Sequence, residues 1–197
     1  DAAVPAAGVP VSTGPRLYVR ELASGRTWTP APNLLSGYSD VSPGFAPDSQ
    51  SLFIAPPFPL PGVEDHNGST DVYQVSPSFE DVRLVSQRDP SLANRTGDAP
   101  SRLEPNAFSD DGRFITFTSA AGNLVDGDQN LRRDVFLRDI EEGVQVLVSV
   151  GLDGKPAKGD SRQPRISASG TRVAFVSTAT NLIANDTNAI GAVYVRD

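Results

Sequence analysis

The 197-residue sequence contains no cysteine and only one histidine, and these absences limit its chemistry. Without cysteine there is no disulfide, no thiol catalysis and no cysteine-based metal site. Cysteine-free proteins occur in reducing and in oxidising compartments, so this absence does not select a location. A single domain of this length buries enough apolar surface to fold without cross-links.

Helical periodicity and long apolar runs are also missing. No long stretch repeats apolar residues at the i, i+3, i+4, i+7 spacing, so we expect almost no helix. The apolar runs are short and interrupted, which excludes a membrane span. The 17 glycines and 17 prolines are spread along the chain and indicate many short strands joined by tight turns.

A basic surface is absent as well. The net charge is −7, and the positive residues are scattered singly apart from the pair Arg132 and Arg133. Nucleic acid is therefore excluded as a partner, because neutralising its phosphates requires a basic face. We attribute the acidity to solubility.

The sequence contains internal repeats. The strand-like segment DVFLRD, which starts at Asp134, has counterparts that start at Arg16, Asp71 and Ala192, so the four copies are 55, 63 and 58 residues apart. A second pattern, FSDDGRFITF from Phe108, returns the spacings 63 and 58 with its own counterparts, FAPDSQSLFI and ISASGTRVAF. Two independent markers with equal spacings make a repeat architecture the expected fold.

The third copy is the most complete, and we predict four antiparallel strands in it. They are expected near 106–109, at 113–119, at 134–139 and at 144–150. Asp111 and Gly112 are expected to form a two-residue hairpin turn. In the second strand, alternate side chains point to opposite faces, of which we expect one to be packed. A four-stranded meander of this kind is the shape of one β-propeller blade.

The other copies are less complete. The first has only its last two strands, at 17–21 and near 27–29; the second has Pro47 and Ser49 in the turn and a proline-rich middle loop; and the fourth stops at Asp197 after its third strand. We therefore predict one all-β, β-propeller domain over 1–197, divided into a lead-in and half blade (1–41), two blades (42–103 and 104–161) and an incomplete blade (162–197). Residues 1–15 are expected to be a flexible lead-in.

About three and a half blades is fewer than the roughly four to eight of a closed ring. An open ring would expose unpaired backbone and apolar faces. We therefore expect completion by residues outside this chain, by a second subunit, or by pairing of the first copy's strands onto the last copy.

The motif P-x-x-F-S-D-D-G-R-F-I-T-F, followed by N-L-V-x-G-D-x-N-x-x-x-D-V-F-L-R-D and L-V-S-V, resembles the WD40-like, TolB-type β-propeller repeats of bacterial exported proteins. The resemblance covers 104–150 best and extends to 162–197. It implies a propeller fold, export beyond the inner membrane and a scaffold role in protein contacts. It carries no universal catalytic residue.

One loop of the third copy has the residue types of a calcium site. Asp126, Asp128, Asn130 and Asp134 lie at positions 1, 3, 5 and 9, with a backbone carbonyl near Arg132 for position 7. Calcium takes roughly six to eight oxygen ligands, which alternating carboxylates on a tight loop can supply. The glycine and the distal glutamate of an EF-hand are missing, so this would be a different loop class.

The alternative is that these side chains hydrogen-bond their own turn and anchor the next strand. The corresponding positions are Val63, Asp65, Asn67 and Asp71 in the second copy, and Ala184, Asp186, Asn188 and Ala192 in the fourth. Only the Asp-x-Asn core is shared, which favours the turn role and restricts possible Ca²⁺ binding to the third copy.

No catalytic or cofactor-binding residue is predicted. His66 has Ser69, Asp65 and Asp71 nearby, but there is no Gly-x-Ser-x-Gly elbow, and such close sequence neighbours rarely form a triad. The acidic pairs at 110–111 and 141–142 are expected to be turn residues, not a glycosidase pair.

The leading hypothesis is a non-enzymatic, periplasmic or secreted propeller scaffold that binds a protein or an extracellular ligand. Its partner would be another protein or another copy of this chain. The alternatives are the propeller part of a hydrolase or peptidase and a calcium-stabilised surface or adhesion module. The scaffold hypothesis depends on a resemblance at the level of the fold.

Overall fold

The computed structural model describes residues 17–29, 43–76, 80–88, 96–187 and 190–197. The lead-in expected at 1–15 lies outside these residues. Every regular element in the described ranges is a β-strand. Accordingly, this part of the chain has no helix with the length and apolar character needed to cross a membrane.

The strands form four antiparallel sheets that follow the four repeats. The first sheet contains β1 (Val19–Arg20) and β2 (Thr27–Trp28), and the second contains β3 (Gly44–Phe45), β4 (Leu52–Ile54), β5 (Tyr73–Val75) and β6 (Val82–Leu84). The third contains β7 (Ser101–Phe108), β8 (Phe114–Ser119), β9 (Asp134–Asp139) and β10 (Gln145–Leu147), and the fourth contains β11 (Ser161–Ile166), β12 (Val173–Ser177) and β13 (Ala192–Arg196). Within each sheet, every strand pairs with the next one in the chain. The predicted all-β architecture of meander blades is confirmed.

In the third sheet the predicted and observed strands agree best at β9, whose bounds coincide. β7 is twice as long as expected and crosses the predicted division between 103 and 104. Its pairing with β8 shifts register between Leu103 and Phe108, so a bulge separates two paired segments. β10 is shorter than predicted.

The predicted two-residue turn at Asp111 and Gly112 is wrong. The Ser109 N–H donates to the Phe114 carbonyl at 3.0 Å, which closes a four-residue loop, and in this loop only Gly112 has a positive φ, of 73°. A two-residue type I′ turn would need a positive φ at both central residues. The same loop occurs in the second and fourth sheets, with Ser49 and Gly170 at the positive-φ position.

Both faces of β8 are packed, although one was expected. Ile115 and Phe117 contribute to the apolar cluster shared with the second sheet. Thr116 and Thr118, on the opposite face, are also buried, and β8 contacts β11 of the fourth sheet on that side. The sheet is therefore enclosed between its two neighbours, as a propeller blade is.

The apolar core is divided among the junctions between consecutive sheets. One cluster joins the first and second sheets around Val19, Leu52 and Tyr73. Another joins the second and third, and a third cluster joins the third and fourth. Backbone bonds repeat across two of these junctions: Ser101 N–H donates to the Thr70 carbonyl at 2.6 Å, and Ser161 N–H donates to the Arg133 carbonyl at 2.7 Å. Each sheet is thus stabilised mainly by the sheets beside it.

Gly170 is expected to be intolerant of a side chain because it combines a positive φ with a close contact between sheets. Its φ is 74°, and an added Cβ would lie 2.4 Å from the Phe114 ring of the third sheet. Gly154 has a φ of 73° and open space around it. Gly170→Ala should therefore destabilise the chain by about 1–3 kcal/mol more than Gly154→Ala, measured by urea unfolding. Equal losses in the two variants would contradict this packing.

Candidate functional site

Three of the four residues predicted as a possible metal site lie in the loop that joins β8 to β9, and the fourth, Asp134, is the most buried acidic group among them. Asp134 is the first residue of β9 and is fully buried. Its Oδ1 accepts a hydrogen bond from Ser149 Oγ at 2.6 Å, and its Oδ2 accepts one from Asn130 Nδ2 at 2.7 Å. Ser149 Oγ in turn accepts from the Val135 N–H at 3.0 Å. Neutral donors therefore hold this carboxyl group.

Asn130 connects this carboxyl group to the next repeat. Its Nδ2 also donates to the Ala157 carbonyl at 2.9 Å, and its Oδ1 accepts from the Arg132 N–H at 2.7 Å. All of the amide's main bonding positions are therefore in use. We call this arrangement of aspartate, asparagine and serine the Asp–Asn–Ser clasp.

The second repeat has the same clasp. Asp71 is fully buried and accepts from Ser86 Oγ at 2.6 Å and from Asn67 Nδ2 at 2.9 Å. Asn67 Nδ2 also donates to the Gly97 carbonyl at 2.6 Å. In the fourth repeat Ala192 replaces the aspartate, and Asn188 lies outside the described residues. The clasp therefore belongs to the two complete blades.

Asp128 differs from its counterparts in lacking a partner. Tyr73 Oη donates to Asp65 at 2.8 Å in the second repeat, and Tyr194 Oη donates to Asp186 at 2.6 Å in the fourth. Phe136 takes the tyrosine position in the third repeat. Asp128 is only 1% exposed, and neither of its carboxyl oxygens has a hydrogen-bond partner within the described residues.

Burial dominates the protonation of these carboxyl groups. It raises the pKa of Asp134 to about 7, against the lowering effect of Ser149 and Asn130. It raises the pKa of Asp71 to about 6 in the same way. Burial also raises the pKa of Asp128. The nearby Asn130 backbone N–H lowers this pKa to a smaller extent, although it is not placed to form a hydrogen bond with the carboxyl group. These groups gain protons at a higher pH than exposed aspartates do.

The structure places the four predicted calcium ligands in different roles. Asn130 and Asp134 contact each other through a donor N–H, whereas a metal would need both of their oxygens. Asp126 is exposed, and Asp128 is buried. In the described ranges no group of three or more His, Cys, Asp or Glu side chains is placed to hold a metal ion. Calcium at this loop stays a prediction, and these contacts favour the hydrogen-bonded turn.

The residues weighed for catalysis serve the turns. Asp65 accepts from the Asn67 N–H at 3.1 Å as well as from Tyr73, and Asp71 belongs to the clasp. Asp111 accepts from the Arg113 N–H at 3.0 Å within its own loop. A cavity of about 560 Å³ lies between β3, β7 and β11, and the acids that line it, Glu104 and Asp110, both come from the third repeat. Acids from several blades do not converge there.

Several residues that matter here were missed from the sequence. Ser86 and Ser149 end the repeated triplet Leu-Val-Ser, which was the only signal for the clasp. The tyrosine-to-phenylalanine exchange at position 136 was visible in the aligned copies. The burial of Arg138, which is only 7% exposed, had no signal because its counterparts Arg20 and Arg196 are exposed.

No protein-family model and no curated protein matches the sequence. Among solved structures, TolB from Acinetobacter baumannii aligns with 93% of the chain at 19% identity and a TM-score of 0.51, and the chain spans 35% of it. A protein assigned as TolB from Agrobacterium tumefaciens aligns with 83% of the chain at 16% identity and a TM-score of 0.46, and the chain spans 55% of it. A prolyl endopeptidase aligns with 85% of the chain at 16% identity and a TM-score of 0.48, and the chain spans 22% of it. The first likeness shows a TolB-type propeller fold over part of the length of such proteins.

The clasp makes stability depend on pH. Because the pKa of Asp134 is about 7 in the fold and about 3.9 in an unfolded chain, the folded state binds more protons between these values. Stability should therefore rise as the pH falls from about 8 to about 5, by up to about 1.4 kcal/mol per pH unit for each such group. Asp134→Asn removes one titrating group, so urea unfolding across this range should show a weaker pH dependence.

Asp111→Asn is the matched control for this measurement. Hydrogen bonds from Ser109 and Arg113 lower the pKa of Asp111, so its contribution is lost only in more acidic solution. The pH dependence of this variant should equal that of the wild type between about pH 5 and about pH 8. An unchanged slope in Asp134→Asn would contradict the buried, proton-binding carboxyl group.

A donor supplied to Asp128 should stabilise the third repeat. Phe136→Tyr places a hydroxyl where Tyr73 and Tyr194 carry theirs, and one hydrogen bond to a buried carboxyl group contributes about 1 kcal/mol or more. The reverse change, Tyr73→Phe, removes the donor from Asp65 and should destabilise by a similar amount. Thermal unfolding of both variants should shift in opposite directions. Destabilisation by both changes would show that the third repeat cannot accept the hydroxyl.

Proposed function

We propose that the chain is a non-catalytic β-propeller scaffold that binds a second copy of itself through the face of its last sheet. The observation that supports this most is the exposure of two β13 side chains, Val193 at 72% and Val195 at 65%. Four corresponding side chains of the earlier repeats pack in the cluster shared with the sheet that follows: Val72 and Val135 at the position of Val193, and Val19 and Leu137 at the position of Val195. We call the side that packs on the following sheet the trailing face, and the opposite side the leading face.

The trailing face is buried at each internal junction. Val19 of the first sheet packs with Leu52 and Ile54 of the second. Val72, at the position of Val193, lies in the cluster formed with the third sheet. Val135, at the same position in the third repeat, packs with residues of the fourth sheet. Burial of a valine side chain contributes about 1.5–3 kcal/mol, so an exposed pair at a junction position favours a missing neighbour.

The leading face of the first sheet is exposed in a complementary way. Tyr73, Phe136 and Tyr194 occupy one position of the repeat, and each packs with the cluster shared with the preceding sheet. Tyr18 occupies that position in the first repeat and is 61% exposed. One chain thus exposes a trailing face on its last sheet and a leading face on its first sheet, and these are the two kinds of face that pack together at its internal junctions. Two copies joined head to tail would cover both halves.

The alternative hydrolase or peptidase function has no observation among the described residues in its favour.

We also propose an extracytoplasmic location. Its support is the TolB-type fold together with the repeat motifs, and fractionation of the source cells would test it. This proposal is independent of the association described above.

The association is tested by light scattering on size-fractionated protein. The wild type should show twice the chain mass of 20.8 kDa. Val195→Asp and Tyr18→Lys should each be monomeric alone, because each variant alters both junctions of a two-copy ring. Mixed together they should form a heterodimer, since one junction then carries only wild-type faces and the other pairs aspartate with lysine.

Leu152→Asp is the matched control, because Leu152 is 70% exposed in a turn. This variant should keep the mass of the wild type. A monomeric wild type would contradict the proposal that a second copy covers the exposed face. The face would then be covered by a blade of a different protein or of a longer precursor. Monomers in the mixture of variants would overturn the head-to-tail arrangement.

A further inference from the structure

Arg138 is a largely buried cation that lines two cavities between the second and third sheets. The residue is only 7% exposed, but its guanidinium nitrogens are not among the fully buried polar atoms that lack a partner in the described part of the chain, so they keep access to the cavities. The adjacent Asp139 is bound by Arg113 at 2.6 Å. The buried Asp134 lies on the same strand, but four residues away, about 13 Å at the rise of a β-strand. The N–H groups of Arg138 that face the cavities are therefore available to a ligand.

The equivalent positions of the other repeats carry no buried guanidinium group. Arg20 and Arg196 are exposed, and each donates a hydrogen bond, to Thr27 and to the Val150 carbonyl respectively. Val75 takes the position in the second repeat and is buried in an apolar cluster. The fold thus accepts an apolar residue here, so the buried guanidinium is not a requirement of the blade.

Two cavities meet at Arg138 between the second and third sheets. The larger has a volume of about 660 Å³, and its other polar lining residues are Glu64, Gln74, Arg83 and Gln87. The smaller has a volume of about 320 Å³ and brings a second guanidinium, Arg88, to the same space. Both volumes are in the range of small-molecule sites.

The smaller cavity also contains an unsatisfied amide. Gln145 lies directly opposite Arg138 across the strand pair, and its Oε1 is buried without a partner. One bond from Arg138 to this oxygen would leave four guanidinium N–H groups and the positive charge unmatched. Asp126 and Glu142 line the same cavity, so its four charged groups sum to zero before a ligand enters. This balance limits the ligand to low negative charge.

We propose that Arg138 and Arg88 form a binding site for a small oxyanion, a carboxylate or a phosphate, in the cavity between the second and third sheets. The planar fork of a guanidinium matches both groups through paired N–H donors. Gln145 Oε1 accepts a hydrogen bond, either from a protonated oxygen of the ligand or from one N–H of Arg138. Binding at a junction between sheets also joins the two blades. Burial lowers the pKa of Arg138, the direction expected for a cation removed from water, and a bound anion would oppose this.

The test is calorimetric titration of the full chain with sodium acetate and, separately, sodium phosphate, with ionic strength matched by sodium chloride. At least one of the two anions should bind and raise the unfolding temperature above that in chloride. The two titrations distinguish a carboxylate ligand from a phosphate ligand. Binding should weaken by about tenfold or more in Arg138→Gln, since a charged hydrogen bond is lost.

Arg133→Gln is the matched control, because Arg133 is exposed and the change alters net charge equally. It should bind like the wild type. If Arg138→Gln fails to fold, Arg88→Gln, which lies outside the strands, should show the same loss. The site is overturned if neither anion binds the wild type, or if both arginine variants bind as the control does.

Discussion

Two asparagine amides, Asn67 and Asn130, hold the blades in register. Each donates at once to the buried aspartate of its own blade and to a carbonyl at the start of the next. The apolar clusters at the junctions supply most of the stabilisation, but apolar contact is non-directional and permits sliding. The two N–H donors of an amide have fixed angles, so they define how one repeat enters the next. The aspartate also accepts a hydrogen bond from a serine that follows the fourth strand, Ser86 or Ser149, so this contact also closes each complete blade.

The buried charges are separated on β9. Asp134, at one end of the strand, is held by neutral donors, while Arg138, near the other end, faces cavities. Phe136 lies between them in an aromatic contact with Phe117 at 5.6 Å. Direct pairing of the two charges would have favoured a closed structural role. Because they are separated, Asp134 stabilises one end of the junction, and Arg138 at the other end faces the cavities of the proposed oxyanion site.

The repeat markers were sufficient to predict the blades because strand periodicity and spacing are local properties. β9 was located to the residue, and the Asp-x-Asn core indicated a turn. The predicted two-residue turn at Asp111 was wrong because the sequence does not determine how many residues of a hairpin loop stay unpaired. The bulge in β7 contains Pro105, and the register shift in β11 contains Pro164, so a proline inside a strand was a local signal that the prediction did not use. At the site, the composition Asp, Asp, Asn, Asp suits either calcium or hydrogen bonds. Only the orientation of Asn130 and the distant Ser149 distinguish them, and neither follows from spacing.

The loss of the clasp in the last repeat has a consequence for how the chain unfolds. In a stack where each unit contacts only its neighbours, stability propagates along the row. With Ala192 in place of the aspartate, the fourth blade has a smaller free energy of local opening than the two clasped blades. The first sheet, which has only two short strands, is weaker for a similar reason, so the two clasped blades form the most cooperative segment. Whatever covers the fourth blade then acts as a terminal cap, and its binding would suppress opening in blades that it never contacts.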